Sequence, residues 1–120
     1  MEKIVIAFDV DGTLIGNDTD NDMDGGVPVA NERIRTLLVS LASFKNVEIV
    51  VWSGGGELYA RQVCNSLGLQ KYVNRYCGKS LVGRTPGGKH IFKPDFQPDI
   101  AIDDIQECKL GKVNLIVKEK

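Results

Sequence analysis

Ile4-Val5-Ile6-Ala7-Phe8-Asp9-Val10-Asp11-Gly12-Thr13 is the stretch whose reading decides the fold. Five apolar residues in succession, without polar alternation, mark a strand buried on both faces, and such strands belong to parallel sheets. Val47 to Trp52 and Ile100-Ala101-Ile102 are two further apolar runs of this kind. Between the first two, from about Pro28, Ile34, Leu37, Leu38 and Leu41 recur at helical spacing beside Glu32 and Arg33, with Asn31 as a candidate cap. A second helix is expected from Glu57 to Leu67, with Ala60, Cys64 and Leu67 on one face and Gly68 as its stop. Tyr72 to Cys77 reads as a weaker strand and Asn114 to Val117 as a last one. Alternating strands and helices predict an α/β fold, a parallel sheet wrapped by helices. Gly16 to Gly26, rich in Asp, Asn and Gly, reads as loop, and Gly83 to Pro98 as loop or a small hairpin.

At 120 residues the chain suits one domain spanning 1–120, and no linker or repeat divides it. A net charge of −1 provides no broad basic field, so no dedicated nucleic-acid surface is expected. Asp9 and Asp11 cut the first apolar run far short of a signal peptide or membrane span. Cys64, Cys77 and Cys108 form no C-x-x-C pair, which argues against zinc or a disulfide framework and for a reducing cytoplasm.

Three of the apolar strands end in polar groups: Asp9-Val10-Asp11-Gly12-Thr13, Ser53-Gly54-Gly55 and Asp103-Asp104. Ligands of open α/β sheets bind at the carboxyl ends of the strands, so these groups should gather at one edge. Four carboxylates there would repel one another, and a hard cation with oxygen ligands, Mg²⁺, resolves the conflict in a site that also takes phosphate. A serine hydroxyl, glycine amides and a lysine would complete a phosphoryl cradle. Asp9 and Asp11 are one residue apart, so their side chains leave the strand on the same side; one can attack phosphorus while the other moves protons.

Ala7-Phe8-Asp9-Val10-Asp11-Gly12-Thr13-Leu14 resembles the first motif of the haloacid dehalogenase superfamily of phosphatases. Ser53 after its apolar strand resembles the second motif and Asp103-Asp104 the fourth, in the right order. The resemblance implies a Rossmann-like three-layer sandwich with a mostly parallel central sheet. It implies Asp9 as nucleophile and Mg²⁺ ligand, and Asp11 as general acid and base with its main-chain carbonyl on the metal. Asp103 and Asp104 would hold Mg²⁺, Ser53 and the Gly54 amide would bind the phosphoryl group, and Thr13 would order the loop by hydrogen bonding within it. For the lysine of the third motif, Lys79 in Tyr76-Cys77-Gly78-Lys79 is preferred, with Lys93 and then Lys89 as rivals. Ile15 to Val27 and Gly83 to Pro98 are too short for the inserted cap domains of the family, so a capless enzyme with an open site is implied. Its partner would be a phosphorylated substrate, a small molecule or a macromolecular end. A phosphotransferase, or a phosphate- or metal-binding module without turnover, stands as the alternative.

Other features favour plainer readings. The D-x-D-x-D-G pattern from Asp20, with Asp18 before it, resembles a calcium loop, but its twelfth position is Asn31 where an acidic ligand is needed. A solvated acidic flap is expected instead. His90 is expected on the surface and Trp52 in the core. Arg84, Lys89, His90 and Lys93 form either an anion-facing cluster or a solvated face. Ser53 lacks the G-x-S-x-G surroundings of a hydrolase nucleophile.

Overall fold

Apolar runs hidden on both faces need neighbours on each side, and this requirement sets the centre of the sheet. The computed structural model describes residues 2–16, 23–24, 27–84, 86–88, 90–93, 96–104 and 110–117, with the backbone alone at 23–24, 27–28, 80–82 and 90–93. In chain order the elements are β1 (Ile4–Asp9), β2 (Met23–Asp24), β3 (Val27–Pro28), α1 (Glu32–Ala42), β4 (Val47–Ser53) and α2 (Glu57–Ser66). A 3₁₀ turn (Gln70–Tyr72) follows, then β5 (Arg75–Gly78), β6 (Ser80–Arg84), β7 (His90–Lys93), β8 (Ile100–Asp103) and β9 (Val113–Ile116).

Five strands form one sheet in the order β5-β4-β1-β8-β9, and every neighbouring pair is parallel. The chain is an α/β protein with a Rossmann-like sandwich. After β1 the chain builds outward on one side through β4 and β5, then crosses back to place β8 and β9 on the other. The order therefore reverses beside β1, which is where ligands of open α/β sheets bind. Two polar residues fix the register. Asn74, just ahead of β5, accepts the Ile49 N–H on its side chain (2.8 Å) and donates its own N–H to the Ile49 carbonyl (2.9 Å). Asp99, just ahead of β8, does the same to Val5 of β1, at 2.8 and 2.9 Å. The Val5 N–H and Lys112 hold the Asp99 carboxyl below its usual range.

Alternation along the strands sorts the core into two layers. Ile6, Phe8, Ile49, Val51 and Ile102 face α1 through Leu38 and α2 through Ala60, Val63 and Cys64. Ala7, Val50, Trp52 and Ala101 form the opposite face, covered by Phe96 and Leu110. The rings of Trp52 and Phe96 lie 5.8 Å apart. Both described helices pack on the first face. The third layer, among the described residues, is made by non-helical segments around Phe96 and Leu110. Trp52 is fully buried, as its place in an apolar run predicts.

Local differences from the expected elements have physical causes. α1 begins at Glu32, and Asn31 occupies the cap position without a side-chain bond; its carbonyl accepts the Arg35 N–H at 2.9 Å. Leu38 is the fully buried residue of α1, which packs on β4 and the 3₁₀ turn, while Leu37 is exposed. Tyr72 falls in the 3₁₀ turn, so β5 starts later than the apolar pattern suggests. The Gly83 to Pro98 region contains β7 and the end of β6, an antiparallel hairpin paired from Ser80 and Lys93 to Arg84 and His90. Arg84 is exposed; Lys89, and the side chains of His90 and Lys93, lie outside the described residues. So do Asp18, Asp20, Asp22 and Gly25 of the suspected calcium loop, whereas β2 and β3 pair as a short antiparallel ribbon. Among the described residues no helix is long and apolar enough to cross a membrane.

Candidate functional site

Sheet register brings the polar strand ends together. Phe8 of β1 pairs with Ile102 of β8, so Asp9 and Asp103 complete adjacent strands side by side. By alternation both belong to the face of Ala7 and Ala101. Ser53 ends β4 opposite Gly78 of β5, and Lys79 follows at once. Its backbone N–H donates to the Ser53 carbonyl at 3.0 Å, which extends the pairing of the two strands by one more residue.

Lys79 closes the charge pattern. Its Nζ lies 2.9 Å from Asp9 Oδ1 and 3.6 Å from Asp103 Oδ2, and all three side chains are almost wholly buried. The ammonium also sits 5.5 Å from the centre of the Trp52 ring. Burial, reinforced by Asp103 and Asp104, pushes the Asp9 carboxyl well above the usual carboxylate range despite the opposing pull of Lys79. Burial pulls the Lys79 ammonium down, but Asp9 and Asp103 outweigh it and hold the pKa above the ordinary lysine value. Burial leads for Asp9, with the neighbouring carboxylates adding to it, whereas for Lys79 the charges of Asp9 and Asp103 prevail over burial. Oxygens of Asp9, Asp103 and Asp104 lie within 4.8 Å of one another. In an octahedral Mg²⁺ shell adjacent ligand oxygens lie about 3 Å apart and opposite ones about 4.2 Å, so the three would draw together by up to about 2 Å to share one ion. The donor set and its surplus negative charge therefore suit a hard divalent cation.

The turn after β1 places the second carboxylate. Gly12 adopts φ 82°, a left-handed conformation that a side chain would strain. The turn it permits is held by the N–H groups of Thr13 and Ile15 on the Val10 carbonyl (3.3 and 3.1 Å) and of Leu14 on the Asp9 carbonyl (3.4 Å). Its place in the motif predicts that Thr13 orders this loop through a hydrogen bond. Its backbone N–H does so, whereas its hydroxyl is buried without a partner among the described residues. The Asp11 carboxylate stands outside the three-carboxylate group and accepts a hydrogen bond from the Tyr59 hydroxyl at 2.8 Å. Burial and the bond to Asp11 push the Tyr59 phenol far above its ordinary pKa, so it stays a donor.

On the β4 side, Ser53 Oγ accepts the Gly55 N–H at 2.9 Å, and the Ser53 carbonyl accepts the Gly56 N–H at 3.1 Å. Accepting one bond leaves the Ser53 O–H free to donate. Gly56, at φ 104°, turns the chain directly into α2 in a conformation open to glycine. Gly54 is exposed at the tip of this turn. The helix start so formed favours negative charge nearby.

The structure thus gathers Asp9, Asp103, Asp104 and Lys79 at the carboxyl edge of the sheet, with Asp11, Ser53 and Gly54 on the adjoining turns. Among the described residues Lys79 is the lysine seen against Asp9; the side chains of its rivals Lys89 and Lys93 lie outside them. Sequence reasoning passed over Tyr59, one position before Ala60 on the helix face. Its only local signal is its place in the first turn of the helix that leaves the glycine run. Comparisons with protein-family models, with curated proteins and with solved structures returned no match for this chain.

Proposed function

We propose that the chain is a Mg²⁺-dependent phosphohydrolase that attacks phosphate monoesters with Asp9, as its likeness to the haloacid dehalogenase motifs implies. The observation that carries this reading is Lys79 Nζ at 2.9 Å from Asp9 beside the Asp9, Asp103 and Asp104 oxygens. A nucleophilic carboxylate, further metal-type carboxylates and a fixed cation are what transfer of a phosphoryl group requires.

Mg²⁺ held by Asp9, Asp103 and Asp104 would supply positive charge to a non-bridging phosphoryl oxygen. Ser53, the Gly54 amide and the start of α2 would bind the remaining oxygens. An Asp9 oxygen attacks phosphorus while the bond to the ester oxygen breaks, and Asp11 gives that oxygen its proton. The product is an alcohol and an aspartyl-phosphate. Asp11, now ionised, takes a proton from water; the hydroxyl attacks phosphorus, the bond to Asp9 breaks, and inorganic phosphate leaves. Lys79 offsets the negative charge on the transferring group throughout. Cys64 has no part in this: its burial raises the thiol pKa to about 12, and a buried reduced thiol suits the expected cytoplasm.

The test is hydrolysis of an aryl phosphate by wild type and Asp9→Asn. Wild type should turn over with Mg²⁺, stop in EDTA and recover when Mg²⁺ is restored. Folded Asp9→Asn should lose at least about a thousandfold in kcat. Retention of more than about a tenth of the wild-type rate would remove Asp9 from the nucleophile role.

A further inference from the structure

We infer that Tyr59 is the positioning residue for the proton-transfer carboxylate Asp11, an inference that rests on the phosphohydrolase reading above. Three observations carry it. The Tyr59 hydroxyl donates to Asp11 Oδ1 at 2.8 Å, across 48 residues of sequence. Among the described residues this is the hydrogen bond made by the Asp11 side chain, which stands on a turn and outside the buried carboxylate group. The Tyr59 ring is itself held in place. It lies over Gly55 so closely that a Cβ there would come within 2.9 Å of Cδ2, and its backbone belongs to the first turn of α2.

The chemical consequence concerns one oxygen of Asp11. A carboxylate on a turn can rotate and offer either oxygen, in several directions, to a leaving group. Tyr59 occupies Oδ1 with its O–H and leaves the other oxygen to carry the transferred proton. The phenol itself gives up no proton and touches no reacting atom. It restricts the rotation of Asp11 before the substrate arrives, so less is lost in ordering the acid at the moment of bond breaking. α2 thereby couples two tasks: its start faces the phosphoryl group and its first turn holds the acid.

A positioning role can be separated from a merely structural one by varying the leaving group. Expulsion of an alkoxide depends strongly on a proton donor, while a dinitrophenolate leaves with little help. The quantity to measure is kcat/KM, which reports only steps through departure of the leaving group and ignores hydrolysis of the aspartyl-phosphate. General acid catalysis contributes about 10²–10⁴-fold, so partial misplacement of Asp11 in Tyr59→Phe should lower kcat/KM for an alkyl phosphate about tenfold or more. For dinitrophenyl phosphate the loss should stay within about twofold. Combining Tyr59→Phe with Asp11→Asn should add little to the Asp11→Asn defect, because the two residues act as one unit. Equal losses on both esters, additive losses in the double variant, or no loss at all would overturn the inference while leaving the phosphohydrolase reading intact. A wild-type protein inert toward every phosphate ester would instead refute that reading, and this inference with it. Tyr59→Phe removes one oxygen from a half-buried ring, so an unchanged melting temperature confirms that the comparison is made on folded protein.

Discussion

Replacing Lys79 with methionine removes the ammonium from the carboxylate cluster and keeps an unbranched apolar stem of similar length. In the folded protein the Asp9, Asp103 and Asp104 oxygens lie within 4.8 Å of one another. Two ionised carboxylates at that separation repel by about 3.5 kcal/mol at an effective dielectric of about 20. Lys79, 2.9 Å from Asp9 and 3.6 Å from Asp103, answers that repulsion. Stripping one partner from a buried ion pair costs about 3–5 kcal/mol. For a chain of this size the expected fall in melting temperature is about 10 °C or more, measured in EDTA by calorimetry or circular dichroism. Saturating Mg²⁺ would take over part of the neutralisation, so the gap between wild type and Lys79→Met should narrow when the metal is present. The same variant should lose at least about a hundredfold in kcat, or about 2.7 kcal/mol of transition-state stabilisation. Two results would refute the reasoning: an unchanged melting temperature in EDTA, or a gap that Mg²⁺ leaves untouched. A large kcat loss in Lys93→Ala with none in Lys79→Met would move the catalytic cation to the β6–β7 hairpin.

Mg²⁺ should raise the wild-type melting temperature in a concentration-dependent way, and Asp103→Asn should blunt the rise; an identical titration in the two proteins would dissociate Asp103 from the metal. Asp99 has a folded-state pKa below its unfolded value, so its contribution to stability is present above about pH 4 and is lost as pH falls through the folded value. Asp99→Asn should therefore flatten the fall in melting temperature on acidification below about pH 4, and an unaltered slope would deny Asp99 that role. Leu38→Ala, at the one fully buried position of α1, should cost about 2–5 kcal/mol in urea unfolding, whereas Leu37→Ala should cost under about 1 kcal/mol.

The central strands were legible because burial on both faces leaves a continuous apolar run, and β1, β4 and β8 fall where those runs predict. The edges were harder. β5 is half-buried at most, and β9 exposes Val113 and Leu115, so neither needs an apolar run and their limits drifted by one to three residues. Asp9, Asp103, Asp104 and Ser53 could be assembled from sequence because a strand end is a position on a known edge. Choosing among the lysines required the pairing of Ser53 with Gly78, which carries Lys79 to the same edge. Tyr59 was out of reach, since helical spacing says which residues share a face and not which distant carboxylate a phenol will meet. At Thr13 the motif position pointed to a hydrogen bond within the loop without naming the donor, and the backbone N–H makes it, to the Val10 carbonyl.

The strand order also has a consequence in time. β1 sits in the middle of the sheet, with β4 on one side and β8 on the other, yet β8 begins at Ile100. During synthesis, at roughly 5–20 residues per second, β1 waits about 5–20 s for its second neighbour. Throughout that interval the Ile6 to Phe8 backbone offers an open, apolar edge to any passing strand. A ribosome-bound chain stalled before Ile100 would have half of the site and a surface suited to aggregation, so completion of the carboxylate cluster and protection of the nascent chain arrive in the same event.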